Sequence, residues 1–212
     1  MKLLLTSAGI NTSTIANVLK RWIKDIRIAF IPTAANIEEG NKDWLIDDYN
    51  DCLKLGSVDI VDISALDKKI WLSRLQKANV IVVGGGNTEY LLKCIISSGL
   101  HKELPKLLKD RVYVGISAGS IILSKTLNAS SEFLYGDETK ITVAGLGYVN
   151  FNVRPHLNSE HFPKVRNSIL KTVVKNLDGD TYALDNSSAI IVDEEKISVI
   201  SEGKWILYKK KY

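Results

Sequence analysis

Short apolar segments alternate with segments of helical periodicity along most of this chain, and that alternation constrains the fold more than any other feature. The sequence Val80-Ile81-Val82-Val83 is entirely apolar, and the later segment 112–116 contains a single glycine among apolar residues. Uninterrupted apolar runs of this length are typical of strands buried on both faces of a parallel sheet. The sequence therefore predicts an α/β protein in which helices cover both sides of a mostly parallel central sheet.

The periodicity places most of the elements along the chain. Strands are predicted at 3–5, 27–31, 58–61, 79–83 and 112–116, and helices at 13–24, 40–55, 68–77, 88–98, 101–109, 118–124 and 159–176. Residues 128–139 read as a polar loop, and further strands are predicted at 182–184, 189–192, 197–200 and 205–208, with a hairpin turn at Glu202-Gly203. Because no linker or repeat interrupts the pattern, residues 1–212 are predicted to form a single three-layer α/β/α domain with antiparallel strands at its C-terminal end.

Composition excludes several classes of protein. No apolar run approaches the ~20 residues of a membrane span, so no membrane partner is expected. The net charge of +4 owes much to Lys209-Lys210-Lys211, and no basic stripe typical of nucleic-acid binding is visible. The two cysteines, Cys52 and Cys94, form no CxxC motif, which favours a reducing, cytoplasmic location.

The strongest motif is Gly115-Ile116-Ser117-Ala118-Gly119, which matches the G-x-S-x-G pattern of a nucleophile elbow. It follows a predicted strand and opens a predicted helix, as that motif requires. Glycines two residues on either side of the serine are expected because the strand and helix pass too close for side chains. Ser117 is therefore the candidate nucleophile, and the alternative is that Ser117 only caps the helix.

A second glycine-rich segment, Gly84-Gly85-Gly86-Asn87-Thr88, follows the strand predicted at 79–83. The segment lacks the spacing of a dinucleotide fingerprint and the lysine of a P-loop. We interpret it as part of an oxyanion hole, in which the N–H groups of Gly86 and Ala118 would hold a tetrahedral oxyanion. A tight turn without a chemical role is the alternative.

A serine nucleophile needs a base, and the chain contains three histidines. His156 follows Pro155, which stiffens the loop, and is the predicted base. His161 is the second choice, and His101 is predicted to lie on the surface. The group that orients the imidazole stays open among Asp185, Asn186, Glu132 and Asp137. No cluster of metal ligands is visible, so no cofactor is expected.

These motifs together resemble the dipeptidase E (aspartyl dipeptidase) family of serine peptidases, which is related to cyanophycinase and has a fold similar to class I glutamine amidotransferases. The resemblance extends over nearly the whole chain, including Leu3-Leu4-Leu5-Thr6-Ser7 and Ala29-Phe30-Ile31-Pro32-Thr33-Ala34. It implies that Ser117 is the nucleophile, that His156 is the base, and that Gly86 and Ala118 supply the oxyanion-hole amides. Asn186 aligns with a glutamate of the family, with Asp185 beside it.

The resemblance also implies an activity. A cytoplasmic serine-type dipeptidase, a hydrolase without a cofactor, would act on small peptides with an N-terminal Asp, as a monomer or homodimer. Asn87 and Arg166 fall where substrate-binding residues are expected, Arg166 in the region of an arginine that would bind the Asp side chain. Three alternatives remain: a glutaminase, which would need a cysteine nucleophile; a catalytically weak amidotransferase-like binding or sensing protein; and a nucleotide-binding protein that uses the triple-glycine loop.

Overall fold

The computed structural model describes residues 1–127, 134–135 and 143–210. The strands are β1 (Lys2–Thr6), β2 (Arg27–Ile31), β3 (Ser57–Ile60), β4 (Val80–Val83), β5 (Val112–Ile116), β6 (Thr126–Leu127), β7 (Val143–Ala144), β8 (Asn152–Arg154), β9 (Thr181–Leu184), β10 (Ser188–Asp193), β11 (Lys196–Ser201) and β12 (Trp205–Tyr208). The α-helices are α1 (Ser13–Trp22), α2 (Asp43–Leu53), α3 (Lys68–Lys77), α4 (Thr88–Ser97), α5 (Leu100–Leu107), α6 (Ala118–Ile121) and α7 (Asn167–Val173). Two 3₁₀ turns lie at Thr33–Ala35 and Val174–Asn176.

The central sheet has seven strands in the order β11-β10-β1-β5-β4-β2-β3. Strands β1 to β5 are mutually parallel, and β10 runs antiparallel to both β1 and β11. The remaining strands form a three-stranded sheet, β12-β9-β8, and a two-stranded sheet, β6-β7. The predicted mostly parallel sheet with antiparallel C-terminal strands is confirmed.

Both faces of the central sheet are buried. One face packs against the apolar side of α3, α4 and α5, with Trp71, Leu91 and Leu104 in the same core cluster as Ile81. The other face packs against α1 and α2. This arrangement confirms the three layers, since alternate residues of each central strand enter opposite cores. No helix in the described part of the chain has the length and apolarity that a membrane crossing requires.

Three predicted details are wrong. Glu202-Gly203 does not close a hairpin, because β11 pairs with β10 whereas β12 pairs with β9 in the other sheet. The Lys204 N–H donates to the Asp185 carboxylate, which holds the start of β12 beside β9.

The second correction concerns the helix predicted at 159–176, which is confined to α7 and the 3₁₀ turn behind it. The preceding residues form successive turns, with the Phe162 N–H donating to Ser159 O and the Val165 N–H to Phe162 O. Pro163 lies within this segment, has no N–H to donate, and disfavours helical backbone at Phe162.

The chain between β5 and β8 also departs from the prediction. Helix α6 ends at Ile121 rather than near residue 124, and turns follow it. The predicted loop at 128–139 lies outside the described residues, apart from residues 134–135.

Candidate active site

Ser117 occupies a sharp turn between β5 and α6. Its backbone has φ 48° and ψ −106°, a conformation that costs energy for any residue with a side chain. A Cβ on Gly115 would lie 2.6 Å from Gly119 O, and one on Gly119 would overlap the Val83 carbonyl oxygen. The predicted need for both glycines is confirmed, and the strained backbone is the geometry of a nucleophile elbow.

The structure brings together three side chains that lie far apart in the sequence. Ser117 Oγ is 2.9 Å from His156 Nε2, and His156 Nδ1 is 3.0 Å from Asn186 Oδ1. When the Ser117 hydroxyl donates to Nε2, the neutral imidazole carries its proton on Nδ1 and donates it to the amide oxygen. This chain of hydrogen bonds can remove a proton from the Ser117 hydroxyl.

Local contacts fix the position of His156. Its backbone is in the left-handed region, with φ 65°, and its N–H donates to Ser7 Oγ at 2.7 Å. The Ser7 hydroxyl in turn donates to Leu184 O at 3.2 Å. The imidazole stacks on Phe162, with the ring centroids 4.4 Å apart. Because both backbone and ring are held, little ordering is required to form the hydrogen bond to Ser117.

Backbone amides lie close to the serine. Gly86 has φ 123°, and a Cβ there would overlap the Ala34 carbonyl oxygen. A Cβ on Gly85 would lie 3.3 Å from Ser117 Cβ, so this loop runs along the serine side chain. Within the described part of the chain, neither the Gly86 nor the Ala118 N–H donates to a protein acceptor. Unpaired N–H groups at a helix start and in a glycine loop favour a negatively charged ligand.

Two of the four residues that were candidates for orienting His156, Asp185 and Asn186, lie in the described part of the chain. Asn186 contacts the imidazole, whereas the Asp185 carboxylate accepts from Ser187 N at 3.1 Å and Ser188 Oγ at 2.5 Å. Asp185 therefore holds the turn between β9 and β10, and among the described hydrogen bonds it makes none to His156. Glu132 and Asp137 lie outside the described residues.

The predicted substrate-binding residues have structural contacts of their own. The Asn87 side chain accepts from Tyr90 N at 2.9 Å and caps α4, and it also lines the cleft above Ser117. The Arg166 guanidinium donates to Ser159 O at 2.9 Å and to the carbonyls of Phe162 and Val165. Arg166 is not among the residues that line the cleft.

The two other histidines lie in different places. His161 lines the cleft without a hydrogen bond to Ser117 among the described contacts. His101 Nδ1 is 3.3 Å from Ile95 O, away from the cleft.

The cleft above Ser117 has a volume of about 1160 Å³. One wall is formed by α2, a contribution that the sequence analysis did not foresee. This wall presents Trp44, Asp47, Asp48 and Asp51. The spacing of Trp44 to Asp48 and of Asp47 to Asp51 is i to i+4, which places such residues on one helix face and was the available signal.

Comparisons with known proteins identify a family and a shared fold. Residues 3–200 match peptidase family S51. An uncharacterized peptidase of Pasteurella multocida (strain Pm70) is 29% identical over 177 residues, which cover 82% of this chain and 84% of that protein. A probable alpha-aspartyl dipeptidase of Drosophila melanogaster is 26% identical over 142 residues, covering 64% of this chain and 58% of that protein. The crystal structure of a candidate peptidase E from Listeria monocytogenes EGD-e has the same fold, with a TM-score of 0.79 at 24% identity over 95% of this chain and 98% of that chain.

Proposed function

This chain belongs to peptidase family S51 and is a peptidase, and on that premise we propose that it hydrolyses short peptides through an acyl-enzyme formed on Ser117. The observation that carries the proposal is the 2.9 Å contact between Ser117 Oγ and His156 Nε2 at a strained elbow. The N–H groups of Gly86 and Ala118 support it, because neither has a protein acceptor among the described residues and both flank Ser117 in the chain or in the glycine loop, so they could stabilise charge on the substrate carbonyl.

The proposed reaction has two halves. His156 removes the Ser117 proton as Oγ attacks the peptide carbonyl, and the N–H groups of Gly86 and Ala118 stabilise the resulting oxyanion. The imidazolium then gives its proton to the departing amine, which leaves the acyl group on Ser117. In the second half, His156 deprotonates a water molecule that attacks the ester, and the proton returns to Oγ as the acid product leaves.

The proposed substrates are short peptides, and dipeptides with an N-terminal Asp are the members implied by the resemblance and by the name of the Drosophila relative. The Arg166 guanidinium faces backbone carbonyls, and the α2 wall is acidic. These two features favour an uncharged or basic first residue over Asp. The preference for Asp that the resemblance implies is therefore measured against peptides with an uncharged or basic first residue.

A dipeptide panel tests the proposal. Asp-Ala, Glu-Ala, Ala-Ala and Lys-Ala are incubated with the protein, and the released amino acids are quantified. Glutamine is included, because ammonia release would indicate the glutaminase alternative. Hydrolysis of any dipeptide supports the proposal. Absence of hydrolysis across the panel, without ammonia release, would favour the binding or sensing alternative.

The pKa of His156 gives a prediction about pH. Burial lowers this pKa below its usual value of 6.5; the hydrogen bond that His156 donates to Asn186 opposes that shift, and the nearby His161 adds to it. Because the base must be neutral, and a lowered pKa keeps it neutral to lower pH, the reactivity of Ser117 should fall only below pH 6.5. The measurement is the rate of inactivation by an uncharged phosphonate fluoride as a function of pH. A midpoint above 6.5 would contradict the lowered pKa of His156.

Asn186 offers a substitution expected to increase activity. A carboxylate in its place would stabilise the imidazolium that forms during catalysis, which an amide oxygen does less well. We expect Asn186→Asp to raise kcat by about 10-fold, corresponding to roughly 1.4 kcal/mol, and to move the acid midpoint to higher pH. Steady-state kinetics on the best dipeptide of the panel measure both effects.

Asp185→Asn is the matched control for that substitution. It should lower the melting temperature without shifting the acid midpoint, because Asp185 holds a turn and does not contact His156. A shift of the midpoint in Asp185→Asn, with none in Asn186→Asp, would reverse the two assignments.

A further inference from the structure

The wall of the cleft that α2 forms is negatively charged. The acidic residues that line the cleft are Glu38, Asp47, Asp48 and Asp51. Lys54 is the one lysine or arginine among the described lining residues, and its Nζ is paired with Asp51 at 2.7 Å. A carboxylate excess in a concave, partly enclosed site attracts cations and repels anions.

Asp48 differs from its neighbours because it is buried. It is 9% exposed, whereas Asp47 is exposed. Among the described residues, Asp48 accepts no hydrogen bond and joins no ion pair, yet it lines the cleft. A buried carboxylate without a donor is costly, so a ligand that supplies one would be stabilised there.

The Asp48 carboxylate lies beside Gly9, which the side chain of Ile116 also approaches. A Cβ built on Gly9 would overlap an Asp48 carboxylate oxygen and lie 3.9 Å from Ile116 Cδ1. Ile116 directly precedes Ser117 and lines the same cleft. Asp48, Ile116 and Ser117 thus line one cleft, which a substrate bound at Ser117 would enter.

The surroundings of Asp48 disfavour its ionised form. Burial, and then the neighbouring charges of Asp51 and Asp47, raise its pKa from 3.8 to about 7. A positive charge placed beside the carboxylate would reverse this shift, since it favours the ionised form.

We propose that Asp48 binds a positively charged nitrogen of the peptide substrate and so directs the amino end of that substrate toward α2. The inference rests on the proposed function. A free dipeptide carries opposite charges at its two ends, and the α2 wall would attract the ammonium and repel the carboxylate. The nitrogen is either the α-ammonium group or a basic side chain of the first residue.

The test measures binding rather than turnover, so that it stands apart from the proposed hydrolysis. Isothermal titration is carried out on Ser117→Ala and on the same variant carrying Asp48→Asn or Asp47→Asn. The four probes are Ala-Ala, N-acetyl-Ala-Ala, Lys-Ala and norleucine-Ala. Asp47→Asn is the matched control, because it removes an exposed carboxylate from the same wall.

We expect Asp48→Asn to weaken the binding of cationic probes about 10- to 100-fold, the range for a charged hydrogen bond, and Asp47→Asn to change it less than about threefold. Loss for Ala-Ala but not for N-acetyl-Ala-Ala identifies the α-ammonium group. Loss for Lys-Ala but not for norleucine-Ala identifies the side chain. Equal affinities in the two carboxylate variants, or no binding of any probe, would overturn the inference. If the wild-type protein hydrolyses nothing while Asp48→Asn still weakens binding, the proposed function fails and the cation subsite stands.

Discussion

Ser117→Ala should lower kcat/KM for the best dipeptide by at least about 10⁴-fold, because the substitution removes the atom that forms the acyl-enzyme. The fold of the elbow and the binding of the dipeptide should change little. The Ser117 side chain makes its described hydrogen bond to His156 alone, and the elbow is held by backbone contacts such as Ser117 N to Thr6 O at 3.2 Å. The KM should therefore change much less than kcat.

Ser159→Ala is the control for this substitution. Ser159 lines the same cleft, but its hydroxyl has no described contact with His156, and Arg166 binds its carbonyl oxygen, which the substitution retains. Its kcat/KM should stay within about threefold of the wild-type value, as expected for a side chain that takes no part in the proposed reaction. Full activity in Ser117→Ala would require a different nucleophile.

His156→Ala is expected to cost nearly as much as Ser117→Ala, and the double variant should cost no more than the larger of the two. The two residues act as one unit, since the hydroxyl attacks only while the imidazole takes its proton. The residual rate in all three variants would come from the Gly86 and Ala118 amides and from binding alone. Rates of the two single variants and the double variant, measured against the uncatalysed reaction, test this non-additivity.

His161→Ala separates the two histidines of the cleft. His161 lines the cleft but has no described hydrogen bond to Ser117, so its loss should leave most of the activity and raise the pKa of His156 slightly.

The double variant of Ser117 and His156 also has an outcome that contradicts the mechanism. If the fold-losses of kcat/KM in Ser117→Ala and His156→Ala multiply in the double variant, the two groups act independently.

The sheet and the elbow could be predicted because their determinants are local. Uninterrupted apolar runs specify buried parallel strands. Glycines such as Gly115 and Gly119 are required where a strand and a helix pass close together on either side of a serine. The prediction that Pro155 stiffens the loop before His156 also pointed to the residue that contacts Ser117.

The remaining features depend on contacts between distant segments. Whether Asp185 or Asn186 faces His156 is decided by the turn hydrogen bonds of Asp185, and neither residue type nor spacing encodes that choice. The ring of Phe162 stacks on His156 from a segment, residues 159–166, that forms turns rather than the predicted helix. The position of α2 beside the cleft also depends on contacts between distant segments, since in the sequence nothing distinguishes Asp48 from the other carboxylates of the same helix.

The central claim is that Ser117 is an activated nucleophile in a peptidase site, and covalent labelling tests it most directly. The wild-type protein is treated with an uncharged phosphonate fluoride, digested and mapped by mass spectrometry, with and without an excess of the best dipeptide. The account predicts one adduct per chain, on the peptide that contains Ser117, with labelling slowed by the dipeptide and abolished in His156→Ala. An unlabelled Ser117, or an adduct on another serine at the same rate in His156→Ala, would contradict it.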